Sequence, residues 1–155
     1  MTRLFLLAAF AAASCRPSIP EITPDLTRLN TTIIRQYIAV QRASSALGKT
    51  NDATAIDDRQ LILDARTASA EAEVRLSAAA DLVTILRYVA PNSVRSEALK
   101  DFGRILDGHA QAIEALSGDV ERTLTRLTNP AAAALAVQLV ATLKQARDTL
   151  SSLVR

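Results

Sequence analysis

Few side chains in this chain of 155 residues can attack, ligate or shuttle protons: it has one Cys, Cys15, and one His, His109. A lone thiol excludes an intramolecular disulfide, and one thiol with one imidazole falls short of the ligand set of a structural zinc or iron–sulfur site. At helical spacing the neighbours of His109 are Ile105, Leu106, Ala112 and Ile113, while Asp107, two residues away, points elsewhere. His109 therefore reads as a boundary residue of a helix. There is no Glu-x-x-His pair of the kind that holds two metals in a bundle, no Cys-x-x-Cys-His, no phosphate loop, no Gly-x-Ser-x-Gly and no His-Glu-x-x-His. Asp57, Asp58, Glu71 and Glu73 have oxygens to offer a cation, yet acids on the polar face of a helix are normally just solvated. The expectation is a protein that is not an enzyme, with no catalytic residue, no metal and no cofactor.

Cys15 is the exception, because of where it stands. The chain opens MTRLFLLAAFAAASCRPS: Arg3 and the amino terminus make a short positive region, and Leu4 to Ala13 form an uncharged run of signal-peptide length, about half of what crosses a bilayer. Two cuts are open. Ala11-Ala12-Ala13 is an A-x-A site, cleaved before Ser14, which leaves a soluble secreted protein carrying a free thiol. Ala12-Ala13-Ser14-Cys15 resembles the lipobox of bacterial lipoproteins, cleaved before Cys15, with Ala12 where that family most often has Leu. The resemblance implies a diacylglyceryl thioether on Cys15 and fatty acylation, such as palmitate, of the new N-terminus. It extends over some 15 residues and leaves the body of the chain unassigned. Thioether formation consumes a thiol that would otherwise be a liability for intermolecular pairing in an oxidising compartment.

After Cys15, the stretch RPSIPEITP carries three prolines, a composition that reads as a semi-stiff spacer. Arg16 stands where lipoproteins kept at the inner membrane typically have Asp, which by the same resemblance favours the outer membrane. The expected division is thus a signal peptide at 1–14, a lipidated Cys and tether at 15–23, and a helical domain at 24–155.

Composition agrees with an all-helical body: aromatic content is 3%, Trp is absent and Gly is down to 4. The net charge is +2, with Lys and Arg scattered among 16 acids rather than gathered on one face, so no nucleic-acid partner is expected. From Thr23 on, apolar residues recur in steps of three and four. Thr23-Pro24-Asp25 opens a first helix along Leu26, Leu29, Ile33, Tyr37, Val40, Ser44 and Leu47, stopped by Gly48. A second runs from Thr54 to Val89 through an Ala-rich middle, with Glu71 and Arg75 paired on its solvent side and Pro91 beyond it. Asn92-Ser93 caps a third that carries Leu99 through Leu127, with a break near Ser117-Gly118-Asp119 allowed by Gly118. Asn129-Pro130 starts the fourth.

Short connections predict an up-down antiparallel four-helix bundle, the alternative being an elongated hairpin or coiled coil completed by dimerisation. Thr67, Ser69, Ala70, Ser77 and Ala78, with Ser151-Ser152 at the end, make a lightly charged polar surface open to two readings, an oligomer or partner interface or compositional drift. The leading expectation is a non-enzymatic envelope lipoprotein facing the periplasm, its partners the membrane through the lipid and an envelope protein or a second copy. The alternatives are a soluble secreted or periplasmic helical module with a ligand cavity under the Ala-rich stretch, or an envelope protein of a phage or mobile element.

Overall fold

A computed structural model describes residues 22–89 and 95–152; Ser14, Cys15, Pro91 and the Asn92-Ser93 cap lie outside them. The described chain is all-α: α1 (Ile22–Gly48), a 3-10 turn (Asn51–Ala53), α2 (Ile56–Val89), α3 (Arg95–Leu124) and α4 (Pro130–Ser151). At 1.5 Å per residue α2 is about 51 Å long and α4 about 33 Å. Each helix packs against two neighbours, α1 on α2 and α4, and α3 on α2 and α4. The ring is closed within one chain, so this is a four-helix bundle and not a hairpin awaiting a second copy.

The apolar steps of three and four are the core. Ile33, Val40 and Leu47 of α1, Leu76 and Val83 of α2, Leu106, Ile113 and Val120 of α3, and Leu139, Leu143 and Leu150 of α4 are all fully buried. Size is distributed unevenly. The buried residues of α2 and α4 include Ala65, Ala72, Ala79, Ala132, Ala136 and Ala146, whereas α1 and α3 bury mainly branched side chains and Phe102. Diagonally opposed α2 and α4 accordingly come close enough to touch, while α1 and α3 stand further apart. Fixed packing density forces this: small side chains across one diagonal must be matched by large ones across the other.

Three helix ends depart from the sequence reading, the starts of α1 and α2 and the end of α3. α1 begins at Ile22, ahead of the expected Thr23 cap and inside the expected tether. Pro24 is tolerated because amides of a first turn have no helical acceptor anyway. Gly48 does end α1, but not through a left-handed cap, since no described glycine has positive φ. A Cβ at residue 48 would stand 3.0 Å from Arg66 Cζ, the movable end of an exposed side chain. α2 starts at Ile56 rather than Thr54, whose hydroxyl instead donates to the Asn51 carbonyl at 3.0 Å.

α3 is continuous through Ser117-Gly118-Asp119. Leu116 and Val120, on either side of the glycine, are buried, and that burial outweighs a helix penalty of about 1 kcal/mol. The third helix also stops early, at Leu124. Leu127 reaches the core from the following turn, where its amide donates to the Leu124 carbonyl at 3.3 Å.

Ser69 corrects the polar-face reading, being fully buried at the α1–α2 contact with Oγ 2.7 Å from Ser44 Oγ and 2.8 Å from the Arg66 carbonyl. A hydroxyl has one proton, so Ser69 donates to Arg66 and accepts from Ser44.

The diagonal makes a prediction. Ala72→Leu should destabilise the bundle by about 1–3 kcal/mol through overpacking, although it adds apolar surface in the core. Leu139→Ala should lose about 2–5 kcal/mol through a cavity. Urea unfolding followed by helix ellipticity measures both.

Candidate functional site

The buried acid is Asp58, in the first turn of α2, with its side chain only 1% exposed. This corrects the expectation that Asp57 and Asp58 are both solvated; Asp57 is exposed, Asp58 is not. One carboxylate oxygen, Oδ1, accepts from the Thr128 amide at 3.0 Å. The other, Oδ2, accepts from the Thr128 hydroxyl at 2.9 Å and the Asn129 amide at 2.8 Å. Next along the chain, Asn129 Oδ1 caps α4, accepting from the Ala131 and Ala132 amides at 2.9 and 3.0 Å. α2 and α4 run parallel, so one carboxylate binds the turn that launches α4 while sitting at the positive end of α2.

The Thr128 amide, helped by the Asn129 amide and the Thr128 hydroxyl, holds Asp58 below its ordinary 3.8 against the opposing pull of burial. With three donors already satisfied, this carboxylate is a strut rather than a free base. Asp58 and Thr128 also line a recess of about 410 Å³ together with Asp57, Gln60, Asp64 and Arg126. Among the described residues no three His, Cys, Asp or Glu side chains gather as a metal-ligand set.

His109 lies on the outer groove between α2 and α3, half-buried, with Glu71, Val74 and Arg75 of α2 along the same groove. Burial first, and the positive Arg75 second, push its imidazole below the ordinary 6.5, so it is neutral at pH 7. Arg75 is itself engaged, its Nη2 donating to Glu71 Oε1 at 3.0 Å as the i, i+4 spacing predicts. Glu73, on the α1 side of α2, is pushed up by burial alone. Nothing in this arrangement pairs a nucleophile with a base.

Sequence reasoning missed the α2 residues beside His109 because they precede it by over thirty positions. It missed Asp58 because the donors come 70 residues later. The sole available signal was the placement of an acid in the first turn of a helix, which many surface helices share.

The remaining recesses open outward. One, of about 380 Å³ between α1 and α2, is lined by Asn30, Ile34, Tyr37, Ser77, Asp81 and Thr84. There Asn30 Nδ2 donates to Thr84 Oγ1 at 3.1 Å. The Ala-rich middle of α2, where the secreted-module reading expects a cavity, is packed, with Ala65, Ala72 and Ala79 all at or below 1% exposure.

Asp58→Asn should lower the urea midpoint at pH 7, because an amide turns one of its acceptor positions into a donor that faces the Thr128 or Asn129 N–H. Asp57→Asn should leave the midpoint within error. A depressed carboxylate stabilises the fold above its unfolded value and loses that contribution as pH falls through the folded one. The gap between wild type and Asp58→Asn should therefore be flat near neutrality and close as pH drops from about 3.8 downward. Asn129→Ala should cost about 1 kcal/mol by loss of the cap.

No family model, no curated protein and no solved structure matches this chain.

Proposed function

We propose that this protein is a non-enzymatic lipoprotein of the bacterial cell envelope, acylated at Cys15, which holds its bundle in the periplasm as a structural or protein-binding element. The observation that carries the reading is Ala12-Ala13-Ser14-Cys15: the only thiol of the chain stands at the end of a signal-length apolar run, where lipid modification gives it a use. The helical body supports it from the other side, since its core, caps and ion pairs make no demand on a cysteine. No helix among the described residues is long and apolar enough to cross a membrane.

The six residues from Arg16 to Glu21 separate Cys15 from α1 and can reach about 20 Å when extended. An anchor there leaves the α1 N-terminus nearest the membrane. The opposite end, with the Asp58 strut and the 3-10 turn, then projects a further 40 Å or so, the length of α1. Several acyl chains, at about 0.8 kcal/mol per buried CH₂, suffice for stable anchoring.

Cells producing the full chain are grown with labelled palmitate and fractionated. The wild-type chain should carry label and sediment with membranes, the outer membrane being the favoured fraction. The Cys15→Ser chain should carry none and leave the membrane fraction. Equal labelling of the two, or none in either, overturns the reading, and an intact mass that begins at Ser14 assigns the secreted form instead.

A further inference from the structure

α2 carries a second apolar line besides the one it buries. Leu63, Val74 and Ile85 are 53%, 67% and 57% exposed, although each is large and apolar. They are spaced by 11 residues, or 3.67 per turn, and so stay within about 20° of one line along a helix. Ile56, 80% exposed, extends the same line to the start of α2. Ala70 and Ala78 flank Val74 at four residues on each side, which leaves Val74 as a knob between two places where a second backbone can approach closely. Within this span the only charge on the line itself is Asp81.

The pattern has a centre. Counting outward from Val74, Ala70 answers Ala78 and Leu63 answers Ile85, so the face is complementary to its own antiparallel copy. That is the requirement for an isologous interface. Asp81 falls opposite Thr67, and one ion pair obeys the same centre. Glu71 and Arg75 lie on the α3 side of the line, where the groove of about 510 Å³ also holds His109. A two-fold axis through Val74 leaves both on that side and sets Glu71 of one copy alongside Arg75 of the other, offset by about 3 Å along the helix against about 6 Å within one chain. The pair that is internal to α2 in the monomer is thus available across the axis.

We infer that the exposed face of α2 is a self-association surface, on which a second copy of this chain docks antiparallel about a two-fold axis at Val74. From Leu63 to Ile85 the contact is about 33 Å long, and at a helix width of about 10–12 Å it covers roughly 350–400 Å² on each copy from α2 alone. With the α3 edge of the groove added, this is the scale of a weak, reversible dimer. The hydrophobic core of each bundle is complete without it, so the dimer is one of folded monomers.

The axis makes the test specific. The full chain carries Cys15→Ser, so that an introduced thiol is the only one. Under mild oxidation Val74→Cys should crosslink to itself, because a disulfide needs Cβ atoms about 3.5–4.5 Å apart and only residues on the axis meet their own copies. Leu63→Cys and Ile85→Cys should each stay monomeric alone and crosslink when mixed. Val74→Glu, with unchanged helix ellipticity, should shift the uncrosslinked chain from dimer to monomer in sedimentation equilibrium. Equal self-crosslinking at all three positions would mean parallel packing and overturn the assignment. A chain that is monomeric at every concentration and crosslinks nowhere overturns it as well, and would leave this face to a different protein.

Discussion

One buried carboxylate sets the register of the bundle. Asp58 projects from the first turn of α2 and satisfies the Thr128 and Asn129 amides and the Thr128 hydroxyl before α4 begins. These amides lie beyond the reach of any helical acceptor, and the carboxylate that meets them is itself buried although Thr128 stands at the surface. Three donors on one charged acceptor make this a stronger tie than a typical neutral hydrogen bond. Because Asn129 is held by Asp58 and in turn holds the first amides of α4, the start of one helix is keyed to the start of another 70 residues away. The surface ion pairs between α3 and α4, Glu121 with Lys144 and Glu114 with Arg147, guide the same packing far more weakly, being half exposed.

The elements of this fold are legible in the sequence because they rest on local rules. Periodic apolar residues chose the buried face of every helix, and Asn129-Pro130 marked the start of α4 correctly, because a cap residue followed by proline acts within its own turn. What could not be read locally is whatever a residue does for a distant partner. Gly48 carries the signature of a helix stop and does end α1, with Arg66 of another helix as its neighbour there. Gly118 carries the signature of a break, but Leu116 and Val120 are buried on both sides of it and the helix runs on. Ser69 looks like a surface residue until Ser44 is placed opposite it.

The same division separates the two functional readings. Anchoring is a local signal, a short stretch that processing enzymes meet as an extended peptide, and it can be read without a fold. Self-association needs the fold, since Leu63, Val74 and Ile85 become a line only when α2 is a helix and an exposed line only when its other face is buried. In the linear sequence these three residues look like further contributors to the core of an Ala-rich helix. Their exposure shows that α2 has two apolar faces, of which one bundle can cover a single one.

The alanines also bound which substitutions the core can take. α2 and α4 touch across one diagonal, and their buried faces carry Ala65, Ala72, Ala79, Ala132, Ala136 and Ala146. A Cβ cannot be turned aside, so a larger side chain there has to be met by moving a helix, whereas at Ile33, Leu47, Leu106 and Ile113 a swap of similar volume leaves every axis where it is. The small residues thus fix how far apart the helices stand, and the large ones only how the space between them is filled.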